Sequence, residues 1–200
     1  AERVTTYQAF RDLFSEQVLR PGDEIEISTI TFLFSDLRGS AALFEELGDA
    51  EAYRLVREHF ALMEQIIREH DGSIVKTIGD GVHAAFSAPD DALRAAIAAH
   101  QGVKAAALDA PAPDIGVRIG LHTGPSISVT LNDRLDYYGS AVNLAARLEG
   151  QGEVGQITMS RTFADDPLVV EALGPFALSR LVVPLKGFVE PVDVVQFFPV

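Results

Sequence analysis

The segment around Asp80 most strongly limits how this chain can fold. Two short β-rich runs, residues 74–78 and 84–86, lie on either side of the turn sequence Gly79-Asp80-Gly81. Strands joined by so few residues pair antiparallel, because a parallel connection needs about a dozen residues or more. Strand and helix patterns interleave along the rest of the chain. We therefore expect an α+β fold, in which helices cover an antiparallel sheet.

Hydrophobic periodicity and turn residues predict the other elements. Apolar residues at helical spacing predict helices over residues 7–18, 50–69, 89–108 and 140–148, with Ser140 as the N-cap of the last. Extended patterns predict strands over residues 24–35, 115–121, 126–130, 155–159, 178–185 and 192–198, and Gly124-Pro125 predicts a turn. Residues 1–22 are expected to form a lead-in helix and linker, and residues 23–200 one domain.

The charge balance and composition limit the partners of the chain. It carries 29 acidic and 16 basic residues without a Lys/Arg cluster, so its surface repels nucleic acid and anionic lipid. The absence of cysteine excludes disulfides and thiolate metal sites, and favours a reducing, cytoplasmic compartment. No apolar stretch reaches the ~20 residues of a membrane-spanning helix. Because the chain begins at Ala1 rather than Met, we expect a processed start or a fragment with an upstream regulatory domain.

Two aspartates stand at the ends of strand patterns. Asp36 follows the apolar run 30–35, and Asp80 lies in the hairpin turn. Carboxylates at strand ends can converge where a hard divalent cation takes oxygen ligands. Two cations about 3.5–4 Å apart would clamp the attacking and leaving oxygens of a phosphoryl or nucleotidyl transfer. The alternative is that each aspartate simply ends a strand or occupies a turn.

Five further residues have both a functional and a structural interpretation. Asn143 and Arg147 lie four apart on a predicted helix, where they either donate to a pentavalent phosphorus centre or form an exposed polar face. Asp136 is either a turn residue or an acceptor for the exocyclic amine of a purine. Lys76 is either a solvated strand lysine or a donor to a ring nitrogen. Lys186 is either a surface cation or a phosphate ligand.

Four segments of the chain form a recognisable set. They read FSDLRGS at residues 34–40, VKTIGDG at 75–81, VRIGLHTGP at 117–125 and DYYGSAVNLAARL at 136–148. Together and in this order they resemble the catalytic domain of class III nucleotidyl cyclases, the adenylyl and guanylyl cyclase family. The resemblance extends from about residue 29 to residue 197, which is nearly everything except the lead-in helix.

The resemblance implies a metal site and a purine site. Asp36 and Asp80 would bind two metal ions, Mg²⁺ or Mn²⁺. Lys76 and Asp136 would read the adenine of ATP. The family fold is a ferredoxin-like α+β sheet with helices on one face. Its active site lies between two such domains, so the resemblance also implies a homodimer.

The resemblance assigns the remaining candidates to the sugar and the phosphates. Asn143 would orient the ribose, and Arg147 would stabilise the transition state at the α-phosphate. Lys186 would hold the terminal phosphates. Backbone amides of residues 37–43 would cradle phosphate at the start of a helical turn, a common site for anions; the substrate contacts expected there are Leu37, Arg38, Gly39 and Ser40.

The implied activity is that of an adenylyl cyclase, the output domain of a signalling protein, which converts ATP to 3′,5′-cyclic AMP and pyrophosphate. A guanylyl cyclase, the first alternative, would want an acidic residue at Lys76 and a small or neutral one at Asp136. The second alternative is a non-catalytic, cyclase-like nucleotide-binding regulatory domain. Such relatives usually lose a metal aspartate or the transition-state pair, whereas this chain keeps all of them.

Two departures from the family pattern bear on the dimer and on the phosphate loop. Residues 126–132 read SISVTLN, where family members carry further glycines in a hairpin that contributes to the dimer interface. Ser40-Ala41 stands where many relatives have Phe-Thr. Neither departure removes a ligand. His122 is the histidine nearest to the motifs, and we expect it to make a structural hydrogen bond rather than act as a general base.

Overall fold

The hairpin predicted at Asp80 forms one edge of the sheet. The computed structural model describes residues 25–108, 115–131 and 134–199, so the predicted lead-in helix of residues 1–22 lies outside the described residues. The strands are β1 (Ile25–Arg38), β2 (Gly72–Ile78), β3 (Gly81–Phe86), β4 (Gly116–Leu131), β5 (Arg134–Tyr138), β6 (Ile157–Ser160), β7 (Ser179–Val183) and β8 (Val192–Phe197). Their order is β2-β3-β1-β4-β6-β8-β7, and β5 pairs with β4.

Antiparallel pairing dominates this sheet, as predicted. Among the described strands only β4 and β6 pair in parallel. The strands predicted over residues 155–159, 178–185 and 192–198 are confirmed, with their ends moved by one or two residues. β5 was not predicted, and because it contains Asp136, the interpretation of Asp136 as a turn residue is wrong.

The predicted turn at Gly124-Pro125 is also wrong, because β4 runs through it without interruption. Pro125 lies opposite Thr29 of β1. On the other side of β4, β6 pairs with residues 119–121 and β5 with residues 127–131. Pro125 falls in the gap between them, where a missing N–H is tolerated. Pairing with β1 along its whole length therefore overrides the local turn preference.

Six helices accompany the described strands: α1 (Ser40–Leu47), α2 (Asp49–Glu69), α3 (Pro89–Leu108), α4 (Ser140–Glu149), α5 (Arg161–Ala164) and α6 (Pro167–Leu173). The predictions of α2, α3 and α4 are confirmed to within one residue. The prediction that Ser140 caps α4 is wrong, since Gly139 occupies the N-cap position and no side chain caps the helix. None of the described helices is long and apolar enough to span a membrane.

Alternating side chains of β1 pack against helices on opposite faces of the sheet. Leu33 of β1 packs in the main core with Met63 of α2 and Leu93 of α3. Its neighbour Phe32 points to the other face, where it packs against Ala141 and Ala145 of α4. Burying each large apolar side chain stabilises the fold by about 1.5–3 kcal/mol. The expectation of helices on one face is therefore wrong for α4.

Two glycines explain how α4 lies directly on β4. A Cβ at Gly120 would stand 2.3 Å from the Glu149 nitrogen and 2.4 Å from the Ala145 carbonyl oxygen. A Cβ at Gly124 would stand 2.9 Å from the Ala141 Cβ. Both distances at Gly120 are shorter than any real contact, so only glycine allows this approach. The result is that α4 packs directly against β4 and leaves its opposite face exposed.

Candidate active site

Asp36 and Asp80 are brought together at the same end of two neighbouring strands. In the β1–β3 ladder Ser35 lies opposite Val82. Asp36 is the residue after Ser35, and Asp80 is the residue before the start of β3. The Ser35 hydroxyl accepts a hydrogen bond from the Val82 N–H at 3.1 Å. A Cβ at Gly81 would stand only 2.0 Å from the Ser35 carbonyl oxygen, so glycine is required for this approach. β1 continues two residues beyond Asp36, to Arg38.

Asp36 lies in an ion-pair network that sequence reasoning missed. Arg118 is directly opposite Asp36 in the β1–β4 ladder, and its guanidinium donates to Asp36 Oδ2 at 2.7 Å. Arg118 also forms an ion pair with Glu149 Oε1 at 2.8 Å, and Arg38 lies 3.4 Å from Asp36 Oδ2. Burial raises the pKa of Glu149 above its usual value, although the charge of Arg118 opposes this. One signal was available, since Arg118 falls inside a recognised motif.

Asp80 is contacted by the first residue of α1. The Ser40 hydroxyl donates to Asp80 Oδ2. Gly39 precedes the helix with a left-handed φ of 84°, a conformation that favours glycine and turns the chain sharply after β1. The predicted phosphate segment therefore leads into a helix N-terminus beside Asp80. Leu37 is buried in the main core, so only its backbone is available to the phosphates of a nucleotide.

Lys76 and Asp136, the predicted purine readers, contact each other. The Lys76 ammonium donates to Asp136 Oδ2 at 2.7 Å and to Oδ1 at 3.0 Å. Asp136 also accepts from the Tyr138 hydroxyl at 3.2 Å and from the Tyr137 N–H at 2.8 Å. Burial, and then the charge of Asp136, raise the pKa of Tyr138 to about 12. Lys76 lies on β2 and is exposed, so both interpretations of this residue stay open.

Asn143 and Arg147 share the outer face of α4. The opposite side of the helix is buried through Ala141, Ala145 and Leu148, which fixes the orientation of α4 on the sheet. Both polar side chains are exposed, and within the described residues neither makes a hydrogen bond or an ion pair. The predicted shared face is confirmed. Their predicted contact with a nucleotide stays a prediction.

Lys186 lies in the loop between β7 and β8. Its neighbour Leu185 is buried, and Gly187 has a left-handed φ of 93°. These two residues anchor and turn the loop, while the Lys186 side chain itself is exposed. An exposed ammonium on an anchored loop can meet the phosphates of a ligand, but the contact stays a prediction.

His122 has a structural role, as predicted. Its Nδ1 lies 2.7 Å from the Ser160 hydroxyl, which also accepts from the Phe163 N–H at the start of α5. Burial lowers the pKa of His122 to about 4, so the ring is neutral at pH 7. His122 thus links β4 to the end of β6, and it is not placed as a general base.

The donor set at Asp36 and Asp80 fits a hard divalent cation. Both side chains supply carboxylate oxygens, the ligands that Mg²⁺ prefers. Within the described residues, the side-chain hydrogen bonds and ion pairs of the Asp36 and Asp80 carboxylates involve Oδ2 only. In the described part of the chain no group of three or more acidic or histidine side chains could hold a metal by itself. A cation bound here would therefore take its ligands from these two aspartates, from backbone oxygens and from the bound nucleotide.

The profile of the adenylate and guanylate cyclase catalytic domain matches residues 23–166. The chain belongs to this family. It is therefore a domain of the nucleotidyl cyclase type.

Relatives of this cyclase domain carry both adenylyl and guanylyl cyclase names. Adenylate cyclase 1 of Rhizobium meliloti is 31% identical over 138 residues, which is 62% of this chain and 21% of the relative. The adenylyl cyclase CyaB from P. aeruginosa has a TM-score of 0.76 at 26% identity, covering 87% of this chain and 95% of that one. The guanylyl cyclase Cya2 has a TM-score of 0.69 at 29% identity, covering 86% and 92%. The chain spans less than half the length of the first curated relatives it matches, 21% and 42%.

Proposed function

We propose that this domain is an adenylyl cyclase, which converts ATP to 3′,5′-cyclic AMP and pyrophosphate. The paired Lys76 and Asp136 are the observation that carries the proposal. Adenine offers an exocyclic amine to the Asp136 carboxylate and a ring nitrogen to the Lys76 ammonium. Guanine places a carbonyl oxygen where adenine has the amine, and a carboxylate repels that oxygen. Both residues would have to open their ion pair to receive the base.

The reaction is an in-line displacement at the α-phosphorus. The ribose 3′-oxygen forms a bond to the α-phosphorus, the bond to the β-phosphate oxygen breaks, and the proton of the hydroxyl passes to solvent. Two divalent cations, when bound, would make the hydroxyl more acidic and neutralise the triphosphate. Asp36 and Asp80 would hold them. Within the described residues we assign no general base, because His122, the histidine nearest to the motifs, is partly buried and bonded to Ser160.

The other residues would bind and orient the triphosphate. Asn143 would hold the ribose, and the guanidinium of Arg147 would stabilise the charge that grows as pyrophosphate leaves. Lys186 and the first amides of α1 would bind the terminal phosphates. Positioning of this kind accounts for much of the rate enhancement in phosphoryl transfer, where the protein does little covalent chemistry.

The exposed face of α4 supports a composite site in a homodimer. Asn143 and Arg147 project outward from their own chain, and the described residues give them no polar partner. A two-fold dimer would bring this face of one subunit to the Asp36–Asp80 end of the other. Each dimer would then hold two sites.

Purine selectivity tests the proposed function. With Mn²⁺ and then Mg²⁺, we expect the wild-type chain to form cyclic AMP from ATP far faster than cyclic GMP from GTP. A buried, charged reading pair can discriminate by up to ~10⁴, and an exposed edge discriminates less. The double variant Lys76→Glu, Asp136→Ser should lose part of this preference. Equal wild-type rates with the two nucleotides would favour a guanylyl or unselective cyclase, and no product from either would favour a non-catalytic domain.

A further inference from the structure

A cavity lies on the sheet face that α2 and α3 cover. It borders the predicted phosphate segment through two leucine side chains and contains none of the polar residues of the nucleotide site proposed above. Its volume is about 260 Å³, and seven of its nine lining side chains are apolar. Leu37 of β1 and Leu43 of α1 form one wall, and the others are formed by residues of α2 and α3 and by Ile115, just before β4. The two polar lining residues are Glu58 and His59. Glu58 and Ala106 are exposed, so the cavity opens to solvent between α2 and α3.

His59 is the unusual member of this lining. It is 7% exposed, and neither of its ring nitrogens has a hydrogen-bond partner among the described residues. Burial lowers its pKa, with a smaller opposing effect from the charge of Asp80, so the ring is neutral at pH 7. A neutral imidazole offers one N–H donor and one nitrogen acceptor. A buried polar group without a partner destabilises the fold, and native proteins rarely keep one without a role.

We propose that this cavity binds a small, mainly apolar molecule with one hydroxyl or similar group, and that His59 is its hydrogen-bond partner. The apolar walls would take up the body of the ligand, and the imidazole would fix its orientation. A cavity of about 150 Å³ is enough to hold benzene. The volume here therefore suits a two-ring aromatic molecule or an aliphatic molecule of similar size.

Direct binding of 2-naphthol tests this proposal without any nucleotide. The chain contains no tryptophan, so naphthol fluorescence can be followed with little background. We expect saturable binding to one site, with a Kd between about 10 μM and 1 mM for a ligand of this size. Naphthalene, which lacks the hydroxyl, should bind more weakly. Binding that does not saturate would overturn the proposal.

Three variants locate the site. Ala106→Phe places a ring in the cavity and should weaken 2-naphthol binding at least tenfold. Ala105→Phe adds the same ring at the neighbouring exposed position outside the lining, and should leave binding unchanged. His59→Leu should weaken 2-naphthol about threefold to tenfold but leave naphthalene unchanged, since only the hydrogen bond is lost. Equal binding by wild type and Ala106→Phe, or an equal loss of both ligands in His59→Leu, would refute the assignment.

A ligand in this cavity would contact Leu37 and Leu43, which lie at the two ends of the predicted phosphate segment. This consequence rests on the proposed function. We expect 2-naphthol to change the KM for ATP of the wild type and of Ala105→Phe, but not that of Ala106→Phe. An unchanged KM in a protein that binds 2-naphthol would refute the coupling. Inactivity of every variant without 2-naphthol would instead count against the proposed function.

Discussion

Arg118 shows, at the scale of single residues, how the fold stabilises a site rich in carboxylates. Its side chain is 12% exposed and lies between Asp36 and Glu149, which come from different elements. A buried arginine with two carboxylate partners keeps one of them when the other is removed. Loss of Asp36 should therefore leave Arg118 paired with Glu149, and the fold intact.

The first prediction concerns the two aspartates themselves. Asp36→Ala or Asp80→Ala should lower turnover by at least ~10³, several kcal/mol of transition-state stabilisation, because each removes a proposed metal ligand. Circular dichroism and melting curves should match those of the wild type. Asp165→Ala is the matched control, since it removes only an exposed ion pair with Arg161. More than a tenth of wild-type activity with Mn²⁺ in either site variant would contradict the assignment.

A second residue-scale prediction concerns His83, which is fully buried and stacks on Phe34 at 4.2 Å. Burial lowers its pKa to about 4, and the charge of Lys76 adds to this. Below pH 6.5 the unfolded chain takes up a proton that folded His83 refuses, so this contribution to stability is complete above pH 6.5 and declines toward pH 4.

Urea unfolding at pH 7.5 and pH 4.5 measures this effect. The loss of unfolding free energy between the two values should be about 2–3 kcal/mol smaller in His83→Phe than in the wild type. The variant keeps an aromatic ring against Phe34 and has no group to protonate. Identical losses in both proteins would show that His83 does not contribute to the acid sensitivity.

At the scale of whole elements, local patterns predicted the long helices well. α2 and α3 were found to within one residue because apolar stripes and Gly or Pro residues mark their ends. Local sequence patterns failed to predict the structure of segments whose conformation depends on pairing with strands distant in sequence. Pro125 continues a strand because β1 pairs along it, and Asp136 lies in a strand because β5 pairs with β4. Short α5 and α6 carry too few residues for a periodic signal.

The same distinction applies to the site. Motif positions led to the predictions for the aspartates, Lys76 and the α4 pair, because each lies within a short recognisable segment, and their roles stay predictions. The contact between Lys76 and Asp136 and the network around Arg118 depend on strand register. Register joins residues far apart in sequence, and a single sequence does not specify it.

Gly120 tests the packing of α4 on β4. Gly120→Ala should lower stability by about 2 kcal/mol or more, because its Cβ would overlap the backbone of α4. Activity should fall as well, since α4 carries Asn143 and Arg147. Gly150→Ala is the matched control at the end of the same helix, where the nearest atom to a Cβ is 3.6 Å away. Equal melting temperatures for the two variants would show that α4 does not press on Gly120.

At the scale of the whole molecule, the distribution of charge has to be reconciled with an anionic substrate. The chain carries a net charge of −13, which repels a free triphosphate. Positively charged side chains nonetheless lie at the proposed site. Arg38 and Arg118 lie beside Asp36, and Lys76 lies beside Asp136. Bound divalent metals and the partner's α4 would add further positive charge. Formation of the proposed homodimer would therefore add the positive charge that binding of a triphosphate requires.

The last prediction tests this assembly by mixing two inactive variants. Asp36→Ala damages the proposed metal site, and Arg147→Ala damages the face that would reach across to the partner. Each should be nearly inactive alone. In a heterodimer one site carries both lesions and the other carries neither. Random pairing makes about half of the dimers heterodimers, each with one intact site of two, so roughly a quarter of wild-type activity should return. Native mass spectrometry can confirm that subunits have exchanged. If exchange is complete and the mixture is still inactive, the site lies within one chain, and the exposed face of α4 needs another explanation.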